Sequence, residues 1–493
     1  MDLLNFLLVP VIVIYTLVMS ALLLYVFNFF YLAYLGWRER HVLSCPTPVM
    51  RNPWPRVTIQ LPIYNEWYVV TRLIESAAAL DYPPELLEIH VLDDSTDETA
   101  PLVAETVERM QARGVNILHL HRAERRGFKA GALADGFKRA RGEFIAVFDA
   151  DFVPQRDFLR RMLPHFDNQR VAFVQARWGH LNRHYSFLTL LQSLTLDAHF
   201  AIDQLARSSS GFFFNFNGTA GIWRKAAIAD AGGWRADTFA EDLDLSYRVF
   251  LRGWDARYAG EVEVPAELPV SFTAFRRQQF RWARGGLECA LIYLPVVWRA
   301  QIPLSQKIQA SLHLTGYGLH FLVLALIVLY PLLLALAVEY PTLLEPIGIG
   351  LFMNFVFFAP TIYFAVAQHI LKRRWLLSLP AIFLTSVVAS GMVLNTLRAA
   401  LQILQRRVVP FDRTPKYGIT QRKQNWDHSR YSSEMDGLIV LEIILSLFNL
   451  WTAWTSWHTN HWFIMIYTAL FAVGLFSASG VTLLQTIIRR VPS

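Results

Sequence analysis

No lysine or arginine occurs before Arg38, between Lys307 and Lys372, or between Arg430 and Arg489, and the edges of these gaps are basic. Apolar stretches that exclude positive charge over such lengths are accommodated as helices through a bilayer, with the basic flanks on the cytoplasmic side. Each gap then faces outward at its middle. Five crossings satisfy this pattern: residues 4–33 with the N-terminus outside, 312–337 and 343–370 joined at Glu339-Tyr340-Pro341, then 436–456 and 462–487 joined at His458-Thr459-Asn460. The C-terminus, with Arg489-Arg490, returns inside. Leu376–Leu404 is also apolar but has Lys372-Arg373-Arg374 before it and Arg406-Arg407 after it. A simple crossing would export one of those clusters, so residues 376–405 are expected to be re-entrant, kinked or interfacial, with Pro380 and Ser390-Gly391 as places to break.

The first apolar run, Leu3 to Leu35, is too long for a signal-peptide core, lacks a basic leader and has no small-residue cleavage pattern before Trp37, so it is expected to stay as an anchor. Hydrophobic residues reach 54% and charged residues only 17% of the chain, but that excess sits in the membrane stretches. Arg38 to about Lys307 is left as a water-soluble α/β body in the cytoplasm, where nucleotide-sugars are available. The net charge of +7 fits a cytoplasmic membrane surface, and no Arg/Lys face with interleaved aromatics suggests nucleic acid. Cys45 and Cys289 share no metal-ligand spacing and suggest neither a disulfide framework nor a zinc site.

Within the soluble body, short β-branched runs at Val57–Pro62, Ile89–Leu92, Ile117–Leu120, Phe144–Phe148 and Val171–Gln175 alternate with helical patterns such as Trp67–Leu80 and Gly127–Arg139. That alternation predicts a mostly parallel sheet, and in such sheets ligands collect at the carboxyl ends of the strands. Two strands end in acid pairs there, Asp93-Asp94 and Asp149-Ala150-Asp151. On an extended chain Asp149 and Asp151 project to one side and can hold a divalent ion, Mg²⁺ or Mn²⁺, that keeps sites open for a diphosphate; the same residues also serve as ordinary turn formers. Lys129, in the small-residue helix start Gly127-Phe128-Lys129-Ala130-Gly131, either reaches a phosphate or marks a packing site.

Thr238-Phe239-Ala240-Glu241-Asp242 opens an amphipathic helix that stops near Gly253. Thr238 and Glu241 have the spacing of a capping box, which gives Glu241 a structural task. Asp242 has none, and a carboxylate at a helix N-terminus is expected to stay ionised, as a general base for a sugar hydroxyl must be. Gln278, Arg281 and Trp282 share a helical face just before the membrane segments. Trp282 can stack on a sugar and Arg281 can meet a diphosphate, or both can sit at lipid headgroups.

Taken in order, Pro62-Ile63-Tyr64-Asn65-Glu66, Asp93-Asp94, Lys129, Asp149-Ala150-Asp151, Glu241-Asp242 and Gln278-x-x-Arg281-Trp282 resemble the family 2 glycosyltransferases of the cellulose-synthase superfamily. Val174-Gln175-Ala176-Arg177-Trp178, the stretch from Phe216 to Arg224 and Glu267-Leu268-Pro269 resemble the cellulose-synthase-like A group, the β-mannan and glucomannan synthases, and bacterial relatives. The resemblance implies a GT-A catalytic domain joined to an α-helical multi-span membrane domain, and an inverting transfer that forms β-linkages. It implies that Tyr64, Glu66 and Asp94 line the nucleoside pocket and that Lys129 approaches the diphosphate. Asp149 and Asp151 would contact diphosphate and metal, and Asp242 would deprotonate the acceptor. Arg281 would hold the leaving diphosphate, with Trp282 stacked on the acceptor sugar. The family's Thr-Glu-Asp reads Ala240-Glu241-Asp242 here. Phe411-Asp412-Arg413-Thr414-Pro415-Lys416 resembles the Phe-x-Val-Thr-x-Lys gating loop of bacterial cellulose synthases with Arg413 in place of Val; Thr414 and Lys416 would then close over the nucleotide. Otherwise the segment is a basic interfacial loop.

The expected organisation is an anchor at 1–37, a catalytic domain at 38–270, interfacial helices at 271–310, and a membrane region at 311–493 with a candidate gating loop at 408–428. The expected activity is processive polysaccharide synthesis at a bacterial inner membrane, from GDP-mannose, GDP-glucose or UDP-glucose to a glycan, with export of the chain. The alternative is a single addition to a ceramide- or polyprenyl-type lipid. A transporter would need charged residues along a path, and apart from Glu442 almost none stands inside the five spans.

Overall fold

A computed structural model of the chain describes residues 3–44, 53–342, 358–407, 412–424, 426 and 437–490. The five β-branched runs form strands β1 (Val57–Ile63), β2 (Leu87–Asp93), β3 (Ile117–His121), β4 (Phe144–Val147) and β5 (Val171–His180). They join β6 (Gly221–Arg224) and β7 (Asp255–Ala266) in one sheet of order β3-β2-β1-β4-β6-β5-β7. β1 to β4 pair in parallel, β6 runs antiparallel to both β4 and β5, and β7 is parallel to β5. Covered on both faces by helices, β2 and β4 are buried along their whole length, which is why they read as continuous apolar runs. β6 and β7 escape the sequence pattern for a physical reason. β6 is only four residues long, and β7 alternates buried positions with Arg257, Glu261 and Glu263.

Among the described residues, five helices are long and apolar enough to cross a membrane: Phe6–Arg38, Gly316–Glu339, Trp375–Leu404, Leu438–His458 and Trp462–Gln485. This set differs from the one expected. Of the crossing placed at 343–370, residues 343–357 lie outside the described residues, and the remainder forms the helix Ala359–Ile370. Trp375–Leu404, expected to be re-entrant, kinked or interfacial, has the length and composition of a span, and its helix is interrupted after Ser390, at one of the two expected breaks, and resumes at Val393. A Cβ on Gly391 at that break would lie 2.4 Å from the carbonyl oxygen of Gly474. Only paired small residues let these two helices cross so closely.

The helices Leu3–Arg38, Leu319–Glu339 and Trp462–Arg490 share an apolar core that includes Tyr15, Leu22, Tyr330, Tyr467 and Phe471. Asp197, buried beside the sheet, pairs with His180 and Arg183 and accepts a hydrogen bond from Gln368 at 2.9 Å, so the apolar helices and the α/β body are joined by polar contacts as well.

Candidate active site

Tyr64, Glu66, Asp94, Lys129, Asp149, Asp151, Asp242, Gln278, Arg281, Trp282, Thr414 and Lys416 line one cavity at the carboxyl ends of β1, β2 and β4, whereas Asp93 and Thr238 stand outside it. β4 stops at Val147, and the Phe152 N–H bonds back to the Asp149 carbonyl at 3.1 Å. Asp149 and Asp151 therefore lie in a turn, not on an extended strand as expected, and the turn aims both carboxylates inward. The Asp149 N–H donates to Thr219 Oγ1 at 2.8 Å, which pins the turn to the residues before β6.

Each acid meets an ammonium group. Lys129 Nζ lies 2.6 Å from Asp149 and 3.5 Å from Glu241, and donates to the Gly218 carbonyl at 3.0 Å. Lys416 Nζ lies 2.6 Å from Asp151 and also donates to the Glu267 carbonyl. Burial raises the Asp149 carboxyl above its usual range despite Lys129. The left-handed Gly127 (φ 72) and Phe128 (φ 51) start the helix Phe128–Arg139 and set the position from which Lys129 reaches across.

The helix Glu241–Leu251 departs from two expectations. The capping box does not form: Ala240 is the N-cap, Thr238 Oγ1 accepts from the Ala240 N–H at 3.3 Å, and Glu241 turns to Lys129. An acid next to a buried ammonium gains more there than at a cap. Nor is Asp242 held ionised by its helix terminus. Burial first, and Glu241 second, push its carboxyl up to about 7, even though Lys129 and the Leu243 N–H, 2.8 Å from Oδ1, favour the anion. Desolvation outweighs the dipole.

Glu66, also buried, is pushed up to about 7 against the opposing charge of Arg413, whose guanidinium is 3.0 Å away. Tyr64 is covered by Arg125, with the guanidinium carbon 3.4 Å from the ring centroid. Asp94 accepts a two-pronged contact from Arg122, from Nε at 2.7 Å and Nη2 at 2.6 Å. On the helix Phe272–Arg299, Arg281 donates to the Asp412 carbonyl at 2.6 Å and to Thr414 Oγ1 at 2.8 Å. Burial lowers its guanidinium to about 10. The loop bearing Thr414 and Lys416 is thus buried against the site rather than spread on a lipid surface. Phe411 and residues 408–410, 425 and 427–428 of that loop lie outside the described residues.

Arg125, Glu267 and Arg413 also line the cavity. Glu267 was visible only as part of a subgroup motif; its carboxylate accepts from the Tyr417 N–H at 2.9 Å. A second chamber, about 630 Å³, opens below, walled by Leu22, Tyr25, Tyr330 and Phe471 from the apolar helices. Trp178, Asn217, Asp242 and Trp282 border both spaces.

The family model for glycosyltransferase like family 2 matches residues 55–285. That stretch is a family 2 glycosyltransferase domain. The domain is 47% identical over 237 residues to glucomannan 4-beta-mannosyltransferase 2 of Arabidopsis thaliana, covering 47% of this chain and 44% of that protein. It is 45% identical over 242 residues to glucomannan 4-beta-mannosyltransferase 1 of Oryza sativa subsp. japonica, covering 48% of this chain and 46% of that one. The match thus spans less than half the length of these curated relatives. Among solved structures, the mannosyltransferase PcManGT from Pyrobaculum calidifontis, in complex with GDP-Man and Mn²⁺, aligns over 80% of this chain and all of its own at a TM-score of 0.53 and 21% identity. The likeness is one of fold, and it gives the glycosyltransferase domain the GT-A architecture that the motifs imply.

Proposed function

We propose that the protein is an inverting β-glycan synthase of the mannan or glucomannan type, drawing on a GDP-sugar at the cytoplasmic face and lengthening a chain held in the membrane chamber. The observation that carries this reading is the position of Asp242 and Trp282 on the border between the donor cavity and the chamber. The names of the relatives and of PcManGT support mannosyl as the sugar and guanosine diphosphate as the carrier. The catalytic domain and C-terminus lie inside and the N-terminus outside, on the evidence of the basic flanks.

In this reading the acceptor hydroxyl gives its proton to Asp242 while its oxygen attacks the anomeric carbon. The bond from that carbon to the diphosphate breaks, and the diphosphate leaves toward Arg281 and Lys416. Attack opposite the leaving group inverts the centre, so an α-linked donor gives a β-linkage. Trp282 offers the acceptor ring a flat apolar face. A carboxyl near 7 is close to the best compromise for a base working at neutral pH. Asp149 and Asp151 supply hard oxygen donors suited to Mg²⁺ or Mn²⁺, which would neutralise charge on the departing diphosphate. Both acids already face ammonium groups, so the lysines must shift or share them when the ion binds.

The test is product analysis with purified full-length protein, membrane lipids and labelled GDP-mannose, GDP-glucose or UDP-glucose. Polymer from a GDP-sugar supports the reading. A product that never exceeds one sugar on a lipid overturns it, as does full transfer by Asp242→Asn.

A further inference from the structure

Three ligand-type side chains converge at the edge of the sheet, outside the donor cavity. β2 ends at Asp93, and β3, the outermost strand, pairs with it in the register Asp93 to His121. Alternation along β3 puts His119 and His121 on the same side. There His119 Nε2 lies 2.9 Å and His121 Nδ1 3.2 Å from a single oxygen, Oδ2 of Asp93. All three atoms fall within 4.8 Å of one another. None of the three residues lines the donor cavity, although the neighbouring Asp94 does.

The spacing is that of a coordination shell. Nitrogen and oxygen ligands at 2.0–2.1 Å from a small divalent ion lie about 3.4 Å apart at tetrahedral angles and about 2.9 Å apart at octahedral ones. Both distances to Asp93 fall in that range. The other carboxylate oxygen, Oδ1, accepts the Ser95 N–H at 2.9 Å, the kind of second contact that orients a ligating carboxylate. Burial grades outward from Asp93, which is enclosed, through His119 to His121, whose side chain is 45% exposed. One end of the cluster is therefore fixed and the other open to solvent. Two imidazoles with one carboxylate suit borderline first-row cations such as zinc, cobalt or nickel, whereas Mg²⁺ and Mn²⁺ favour all-oxygen shells.

We propose that Asp93, His119 and His121 form a second divalent-cation site, of the zinc class, separate from the Asp149/Asp151 pair, with water completing the shell. Its ion ties β3 to β2 one residue before Asp94, and so braces the wall of the donor cavity where Asp94 grips Arg122. Without an ion the three groups are joined by hydrogen bonds. Folding therefore does not depend on loading, and the site fills and empties with metal supply.

The test uses tag-free full-length protein in detergent, stripped with a chelator and titrated with Co²⁺. Asp149→Asn/Asp151→Asn is the background, so that the all-oxygen pair contributes nothing. One equivalent of Co²⁺ is expected to give the intense visible absorption of a nitrogen-ligated, low-coordinate ion. Zn²⁺ should displace it and raise the unfolding midpoint. His121→Ala, at the exposed ring, should weaken Co²⁺ at least about tenfold while leaving the metal-free midpoint in place. His119→Ala/His121→Ala should abolish both the band and the Zn²⁺ shift. The proposal is overturned if that double variant binds Co²⁺ with the parent spectrum and affinity, or if the parent binds none at about 100 µM. Neither result bears on which sugar is transferred, because the readout involves no substrate.

Discussion

Lys416 and Asp151 are joined by a 2.6 Å ion pair that links the loop after the apolar segment Trp375–Leu404 to the acidic turn at the end of β4. Both side chains are largely buried, at 8% and 14% exposure, so the pair is screened little by solvent. In the proposed reading, this ammonium is one of the loop's charges, with Arg413, that can meet a diphosphate entering the cavity. Lys416→Ala should weaken GDP binding about 10- to 100-fold, the span expected for one charged hydrogen bond. Calorimetric titration of GDP into purified protein measures this. An unchanged affinity would remove Lys416 from the donor site.

Asp242 gives a pH dependence of defined sign. Its carboxyl is raised to about 7 from 3.8, by burial and then by Glu241. The contribution of this group to folding is therefore fully present below about pH 4 and is lost as pH rises through about 7. Activity runs the other way, because only the anion accepts a proton. The rate profile should climb across an acid limb centred near 7. Glu241→Gln removes the second cause and should move that limb to lower pH; a profile flat between pH 5.5 and 8.5 would exclude Asp242 as the base.

Gly218 adopts φ 77, and a Cβ built on it would lie 3.0 Å from Asp242 Oδ2 and 3.3 Å from Lys129 Nζ. Gly218→Ala thus adds backbone strain of about 1 kcal/mol and crowds both functional groups at once. We expect kcat to fall at least about tenfold with the fold intact, as read by steady-state transfer assays alongside thermal unfolding. Wild-type kcat in this variant would show that the base has room to move.

How far the site could be read from sequence depended on how local its causes are. The strand-end acids and Asp242 stand out because strand ends and a helix start are local features of the sequence, although the acid pair alone reads equally as turn chemistry. Their protonation was misjudged at Asp242, since a helix terminus is visible in sequence and the desolvation of a cavity is not. The partner of Glu241 was misassigned for a similar reason: Thr238 is three residues away, while Lys129 is brought in only by the fold. Arg413 shows the same limit. It was noticed as a departure from a motif, and its contact with Glu66 across the donor cavity became visible only in three dimensions. β6 and β7 were missed because an antiparallel insertion of four residues and a half-polar strand lack the apolar run that marked the others.

Arg276 and Glu442 form the charged contact between the helix carrying Gln278, Arg281 and Trp282 and the apolar helix Leu438–His458, with bonds of 2.5 and 3.0 Å. Their side chains are 1% and 0% exposed. Arg276 also donates to the Ala478 carbonyl at 3.3 Å, and Asn395 donates to the Arg276 carbonyl at 3.0 Å, so several apolar helices meet at this point. Glu442 lines neither cavity, which assigns it to packing rather than to a channel wall. Removing one partner leaves the other charge buried and uncompensated, a loss of about 3–5 kcal/mol, whereas replacing both with apolar residues of similar volume is often nearly neutral. Glu442→Ala should therefore lower the unfolding midpoint in nanodiscs sharply, and Arg276→Met/Glu442→Leu should restore most of it. If the two helices are instead held by their apolar contacts alone, the single variant will unfold at the parental midpoint and the double variant will recover nothing.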